Sequence, residues 1–187
     1  MKVLIDTSSL ISLVRYYLPF DKEGKLSAFL EEQILSENII VLDRVLDECR
    51  YQGKGQVLTA LPFLKTAKYK TDSSTLIPQQ KFYKLIDNNF INGSERNRLD
   101  DAEYEIQRTK FLNSADLALI LYAYTHKDSG QIAIVTEETG YNNDGKTFKK
   151  IPEICKSIEI TSMNLPGFLK ENQFIDLSVN LTATTLF

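Results

Sequence analysis

The stretch Val3-Leu4-Ile5-Asp6-Thr7-Ser8-Ser9-Leu10-Ile11 decides the fold. Three apolar residues of buried-strand type stop at an aspartate, and Thr7 and Ser8 are good helix N-caps. Leu10, Ile11, Val14 and Tyr17 then recur at helical spacing. The unit is a strand, an acid at the strand's carboxyl end, and a helix. A second amphipathic helix fits residues 24–36, and Ile39-Ile40-Val41-Leu42 repeats the buried-strand pattern. Asp43 then caps a helix carrying Val45, Leu46 and Cys49. Helical patterns at 55–67, 79–90 and 98–111 are joined by loops at Thr71-Asp72-Ser73-Ser74 and Asn92-Gly93-Ser94, with no strand signal between them. Asn113 or Ser114 caps a strong helix with Leu117, Ile120, Leu121 and Tyr124 on one face. Ile132-Ala133-Ile134-Val135 is the next strand, Asn142-Asn143-Asp144-Gly145 a turn, and Ser157 to Thr161 the last strand. Strands alternating with helices predict an α/β fold, a parallel sheet covered on both faces. Residues 53–112 are a helical insertion on that body, and 174–187 form an apolar tail able to pack or to swap onto another subunit.

The length of 187 residues suits a single domain, and a hydrophobic fraction of 43% builds a core without disulfide or structural metal. The longest apolar run, Leu117 to Tyr124, is far short of a membrane span of about 20 residues. Two cysteines, Cys49 and Cys155, do not make a disulfide framework and fit a reducing cytoplasm. A single histidine, His126, excludes a catalytic histidine pair and argues against a classical zinc site. His126 ends its helix, where a partial positive charge suits the dipole. Chemistry in this chain therefore rests on carboxylates.

In open α/β sheets, sites form at the carboxyl ends of the strands. Asp6 follows the first strand, and Glu137-Glu138 follow Ile132–Val135. Glu48 and Asp116 sit near helix starts beside apolar faces. Each acid alone has a plainer reading: Asp6 a helix cap, Glu48 a solvated helix residue, Asp116 a dipole partner, Glu137 and Glu138 loop acids. Together they fall where a parallel sheet would gather them. Converging carboxylates without an arginine partner repel, and a hard divalent cation with oxygen ligands resolves that repulsion.

The order Ile5-Asp6-Thr7-Ser8-Ser9, a helix with Glu48, Ala115-Asp116 opening a helix, and Val135-Thr136-Glu137-Glu138 closing a strand resembles a PIN domain. More narrowly it is similar to VapC-type toxin ribonucleases, and Lys150-Ile151-Pro152-Glu153-Ile154-Cys155 resembles a lesser-studied PIN branch. The resemblance implies a PIN-like three-layer α/β/α fold and a metal-dependent endoribonuclease, the toxin of a toxin–antitoxin pair. It implies that Asp6, Glu48, Asp116 and Glu138 hold Mg²⁺ or Mn²⁺, with Glu137 as an adjacent stand-in for Glu138. Thr7 or Ser8 would orient Asp6 or a bound water, and Thr136 precedes the fourth acid. A homodimer and a small antitoxin covering the site are the implied partners. Two features depart from the pattern: the fourth acid is a glutamate, and the stretch from Glu48 to Asp116 is long. A phosphotransfer fold with Asp6 as nucleophile would want a second aspartate where Ser8 stands. A catalytically inactive RNA- or protein-binding module and a structure-directed DNA nuclease share the same four acids.

The net charge of −3 hides an asymmetry. Residues 50–84 hold Arg50, Lys54, Lys65, Lys68, Lys70, Lys81 and Lys84 against one acid, Asp72. Tyr51, Phe63, Tyr69, Phe82 and Tyr83 lie among them, a mixture suited to the phosphates and bases of single-stranded RNA. The plainer reading makes the lysines a solvated face and the aromatics its core side. Lys146, Lys149 and Lys150 form a second cluster.

Overall fold

A computed structural model describes residues 1–140 and 145–171. The Asn142–Asp144 part of the expected turn and the 174–187 tail lie outside the described residues. The elements run β1 (Lys2–Ile5), α1 (Thr7–Tyr16), α2 (Lys25–Leu35), β2 (Ile39–Ile40), α3 (Asp43–Tyr51), α4 (Gln56–Ala60) and α5 (Gln80–Asn89). They continue as α6 (Gly93–Arg96), α7 (Asp101–Leu112), α8 (Ala115–His126), β3 (Ile132–Val135), α9 (Ile151–Ser157), β4 (Thr161–Met163) and α10 (Leu165–Glu171).

The sheet is four-stranded and all parallel, in the order β2-β1-β3-β4, with helices flanking it. This is the expected α/β architecture. Every residue of β3 is buried, as are three of the four in β1, which is what a strand covered on both faces requires. The register sets the site. Ile5 pairs with Val135, so Asp6 and Thr136 leave the sheet side by side at its carboxyl edge. Asp6 N–H donates to Val135 O and Thr136 N–H to Met163 O, each at 2.9 Å, which carries the ladder one residue past the strands.

Four local readings are corrected. The sheet part of β2 ends at Ile40, and Leu42 instead bridges in parallel to Thr71, within the segment that lacked a strand signal. Asp43 is the first residue of α3 rather than its cap; its carboxylate accepts the Ser73 hydroxyl and, at 3.1 Å, the Ser73 N–H. The 55–67 pattern is broken after Ala60 by Leu61-Pro62, because a proline ring cannot continue a helix, and two 3-10 turns follow at Pro62–Lys65 and Ala67–Tyr69. The last strand lies at 161–163, not 157–161. Ile158 and Ile160 imitate strand alternation, but they close α9: Ile160 N–H bonds Cys155 O, and Glu159 turns the chain at φ 59°. Among the other differences, α6 replaces the expected Asn92-Gly93-Ser94 loop and α10 follows β4. A reciprocal Asp100–Glu103 capping box, at 2.8 and 3.0 Å, starts α7 at 101 rather than 98.

The insertion is fastened to the body by aromatic packing. Phe82 and Phe90 are fully buried, Phe82 meets Tyr124 of α8, and Phe111 stacks on Phe148 at 4.2 Å. No helix among the described residues is long and apolar enough to cross a membrane.

Candidate functional site

Asp6 is both a cap and a hub. Its side chain is 4% exposed, and three donors surround it. Oδ1 accepts Thr7 N–H at 2.6 Å; Oδ2 accepts the Ser8 hydroxyl at 2.6 Å and the Thr136 hydroxyl at 3.0 Å. Both hydroxyls pass the alignment on. Ser8 Oγ accepts the Glu137 N–H and Thr136 Oγ1 the Glu138 N–H, each at 3.1 Å. The Asp6 carboxylate thus fixes the backbone of the corner that carries Glu138.

Of the two residues expected to orient Asp6, Ser8 does so through its hydroxyl and Thr7 through its N–H. The Thr7 hydroxyl donates instead to Glu48 Oε2 at 2.7 Å, so Thr7 also positions Glu48. Glu48 is half-buried on α3, which packs against α1 and α8. Asp116 stands in the first turn of α8, whose cap is Ser114: its Oγ accepts Leu117 N–H at 3.1 Å. Burial first, then the charges of Asp6, Glu138 and Glu48, push the Asp116 carboxyl up to about 7, against a smaller opposing pull from Lys146. Four acids from separate segments of the chain therefore share one electrostatic neighbourhood. Among the described residues, no three carboxylates, thiols or imidazoles converge within the reach of one ion.

The two glutamates after β3 separate. Glu137 Oε1 accepts Leu165 N–H at 2.7 Å and so caps α10. Glu138 Oε2 accepts Ile151 N–H at 2.9 Å at the start of α9, while its charge acts on Asp116. Glu138, not Glu137, belongs with the acids. Replacing Glu137 by alanine is expected to cost about 1 kcal/mol of stability, the usual loss of a cap, and to leave any response of the melting temperature to Mn²⁺ unchanged. Glu138→Ala is expected to remove that response. Thermal melts of both variants with and without Mn²⁺ check this, and equal responses would refute the division.

The donor chemistry suits a hard divalent cation: carboxylate oxygens whose charges act on one another, and a carboxyl driven toward its neutral form. Mg²⁺ keeps several waters and is usually held through one or two carboxylates, so three converging side chains are not required. The thiols do not compete. Cys49 is held up at about 12 by burial and by the charges of Glu48 and Asp6, and Cys155 at about 12 by burial. His126 stacks on Tyr122 at 4.1 Å, with Nδ1 at 2.8 Å from Tyr122 O, at the end of α8; the expected structural placement holds.

The basic segment divides as well. Tyr69 is buried with its hydroxyl on Glu31, Phe82 is core, and Phe63 packs edge-on to Tyr69, so these rings are not a stacking platform. Tyr51 remains fully outside at 86% exposure. Lys54, Lys65, Lys68 and Lys70 are exposed; Lys68 lies 4.6 Å from the Tyr69 ring and Arg50 pairs with Asp47 at 3.3 Å. Arg50, Lys65 and Lys70 line a cavity of about 320 Å³ with Leu46, Leu58 and Leu64. Leu46 and Arg50 point about 160° around α3 from Glu48, so this cavity opens on the side of α3 away from the acid. Lys149 is taken up by Asn89 O at 2.8 Å. Sequence reasoning missed Arg44, half-buried one turn before Glu48.

No curated protein and no solved structure matches the chain. One family model does, the domain of unknown function DUF4411, over residues 3–175. That span takes in all four acids, the insertion and, Lys2 aside, every strand among the described residues, and the chain belongs to the DUF4411 family.

Proposed function

We propose that the chain is a metal-dependent endoribonuclease of the PIN type, acting as the toxin of a toxin–antitoxin pair in the cytoplasm. The observation that carries the reading is Asp116, a carboxyl pushed up to about 7 by burial and by the charges of Asp6, Glu138 and Glu48. Such a group, at the carboxyl edge of a parallel sheet, is a site poised for a cation. Asp6, Glu48, Asp116 and Glu138 would hold Mg²⁺ or Mn²⁺. When bound, the ion supplies charge stabilisation at a phosphate and a water acidic enough to attack it.

The chain's own residues do the rest. Ser8 and Thr136 hold and aim Asp6, Thr7 aims Glu48, and the helix start at α8 presents Asp116. Hydrolysis by water leaves a 5′-phosphate and a 3′-hydroxyl. The exposed lysines of 54–70 and Lys146 are the phosphate contacts of the proposal, and a second copy of the chain and a small inhibitory protein are its implied partners.

The test is cleavage of total RNA, and of single-stranded DNA beside it, with Mn²⁺ or Mg²⁺ and with EDTA. Discrete RNA fragments bearing 5′-phosphates, formed only with metal, are expected. Preference for DNA would move the reading to a DNA nuclease. No cleavage together with no metal-dependent rise in melting temperature would overturn it in favour of a binding module.

A further inference from the structure

A pocket of about 260 Å³ lies between the insertion and the body. Its floor is Arg44 of α3 with Leu117 and Leu121 of α8; its walls are Ser73, Tyr83 and Thr109, all from the insertion. The floor thus uses the two helices that carry Glu48 and Asp116. Arg44 precedes Glu48 by one turn on the same strip of α3, and Leu117 follows Asp116 directly.

Arg44 is the unusual member. It is half-buried, and none of the ion pairs among the described residues includes it. Its hydrogen bond to Leu112 O is long, at 3.5 Å. A guanidinium carries five donors in a planar fork matched to phosphate, and here most of them have no anion to meet. Beside it stand an aromatic ring, four leucines and small polar groups. Asn113, also on the lining, donates its amide N–H to Thr109 O at 2.9 Å. A cation, a flat apolar surface and hydrogen-bonding edges in one small cavity match one nucleotide. A peptide side chain would use the cation or the apolar surface, and few would use both.

We propose that this pocket is a nucleotide subsite, in which Arg44 takes a phosphate next to the scissile one and the leucine and Tyr83 surfaces take its base. The inference deepens the ribonuclease reading and rests on it. It gives the long Glu48–Asp116 stretch a role: the insertion walls a selection pocket beside the acids, so cleavage depends on the identity of one base.

The experiment titrates the four ribonucleoside 5′-monophosphates into the protein in EDTA, followed by amide chemical shifts. The same protein, Arg44→Gln and Thr109→Trp then cleave an RNA of mixed sequence in Mn²⁺. At least one monophosphate is expected to bind, with shifts centred on Thr109, Leu112 and Leu117. Arg44→Gln should weaken it about tenfold, the effect of one charge-assisted contact, and Thr109→Trp should block the pocket from its exposed rim. Both variants should lose base preference at one position beside the cut while keeping the Mn²⁺-dependent rise in melting temperature. No binding by any of the four, or wild-type base preference in both variants, overturns the pocket and leaves the nuclease reading standing. A protein that binds a monophosphate through Arg44 and cuts no RNA overturns the nuclease reading instead.

Discussion

Asp116→Asn is expected to raise the melting temperature of the metal-free protein at pH 8, an unusual sign for a substitution at a candidate site residue. The cause lies in linkage. The folded-state carboxyl sits at about 7, against about 3.9 for an unfolded aspartate. The folded chain therefore binds the proton more tightly, and stability is lost as pH rises from about 4 through 7. A shift of about three units is worth up to about 4 kcal/mol at 1.36 kcal/mol per unit, reached above pH 7. Asparagine removes the charge and keeps the shape, so it should recover about 2–4 kcal/mol at pH 8 and less than half of that at pH 5. In a chain of this size the pH 8 gain is on the order of 10 °C. Mn²⁺ should raise the wild-type melting temperature by stabilising the same charge, and the variant should no longer respond. The measurement is a set of four melts, two proteins at two pH values, repeated with Mn²⁺. A lower melting temperature for Asp116→Asn at pH 8 would sink the claim that this carboxylate is held against its preference.

The sheet was legible because its signal is local and redundant. Val3-Leu4-Ile5 and Ile132-Ala133-Ile134-Val135 are apolar on both faces, and each ends at a polar residue where the pattern stops. The four acids were legible for the same reason: Asp6 and Glu138 mark strand ends, and Glu48 and Asp116 mark helices that a parallel sheet must place beside them. What stayed hidden depends on packing between distant segments. The strand-like Ile158-Glu159-Ile160 became a helix end because Cys155 O was available to Ile160 N–H. Tyr69 and Phe82 had the composition of an RNA platform, yet their burial is decided by Glu31 and Tyr124, residues 38 and 42 positions away. Glu137 and Glu138 are neighbours of identical chemistry. Only the positions of Leu165 and Ile151 tell them apart. Arg44 has no local signal, since its interest is the lack of a carboxylate partner in three dimensions.

Asp6→Asn should act with the opposite sign to Asp116→Asn, although the two carboxylates share one neighbourhood. Asp6 is buried among donors: one N–H and two hydroxyls converge on its two oxygens. An amide cannot replace them all, because its NH₂ would face either the Thr7 N–H or the hydroxyl hydrogens of both Ser8 and Thr136. Those hydroxyls cannot turn freely to accommodate it, since each already accepts a backbone N–H from the 137–138 corner. Hydrogen bonds to a charged group are worth about 1.5–3 kcal/mol each and are not additive here, so a loss of about 3 kcal/mol is expected. The melting temperature should fall on the order of 10 °C at pH 7. Loss of orientation at Glu138 should accompany it, so RNA cleavage in Mn²⁺ is expected to fall at least about a thousandfold, as for other groups that act only as part of a unit. Ser8→Ala separates the two effects: it removes one donor, leaves the carboxylate, and should cost about 1–2 kcal/mol of stability with a smaller loss of cleavage. Melts and cleavage rates on the three proteins decide the matter. Were Asp6→Asn as stable as the parent, the carboxylate would not be the hub of this corner. Were it less stable but fully active, the acids would be a structural network rather than a catalytic one.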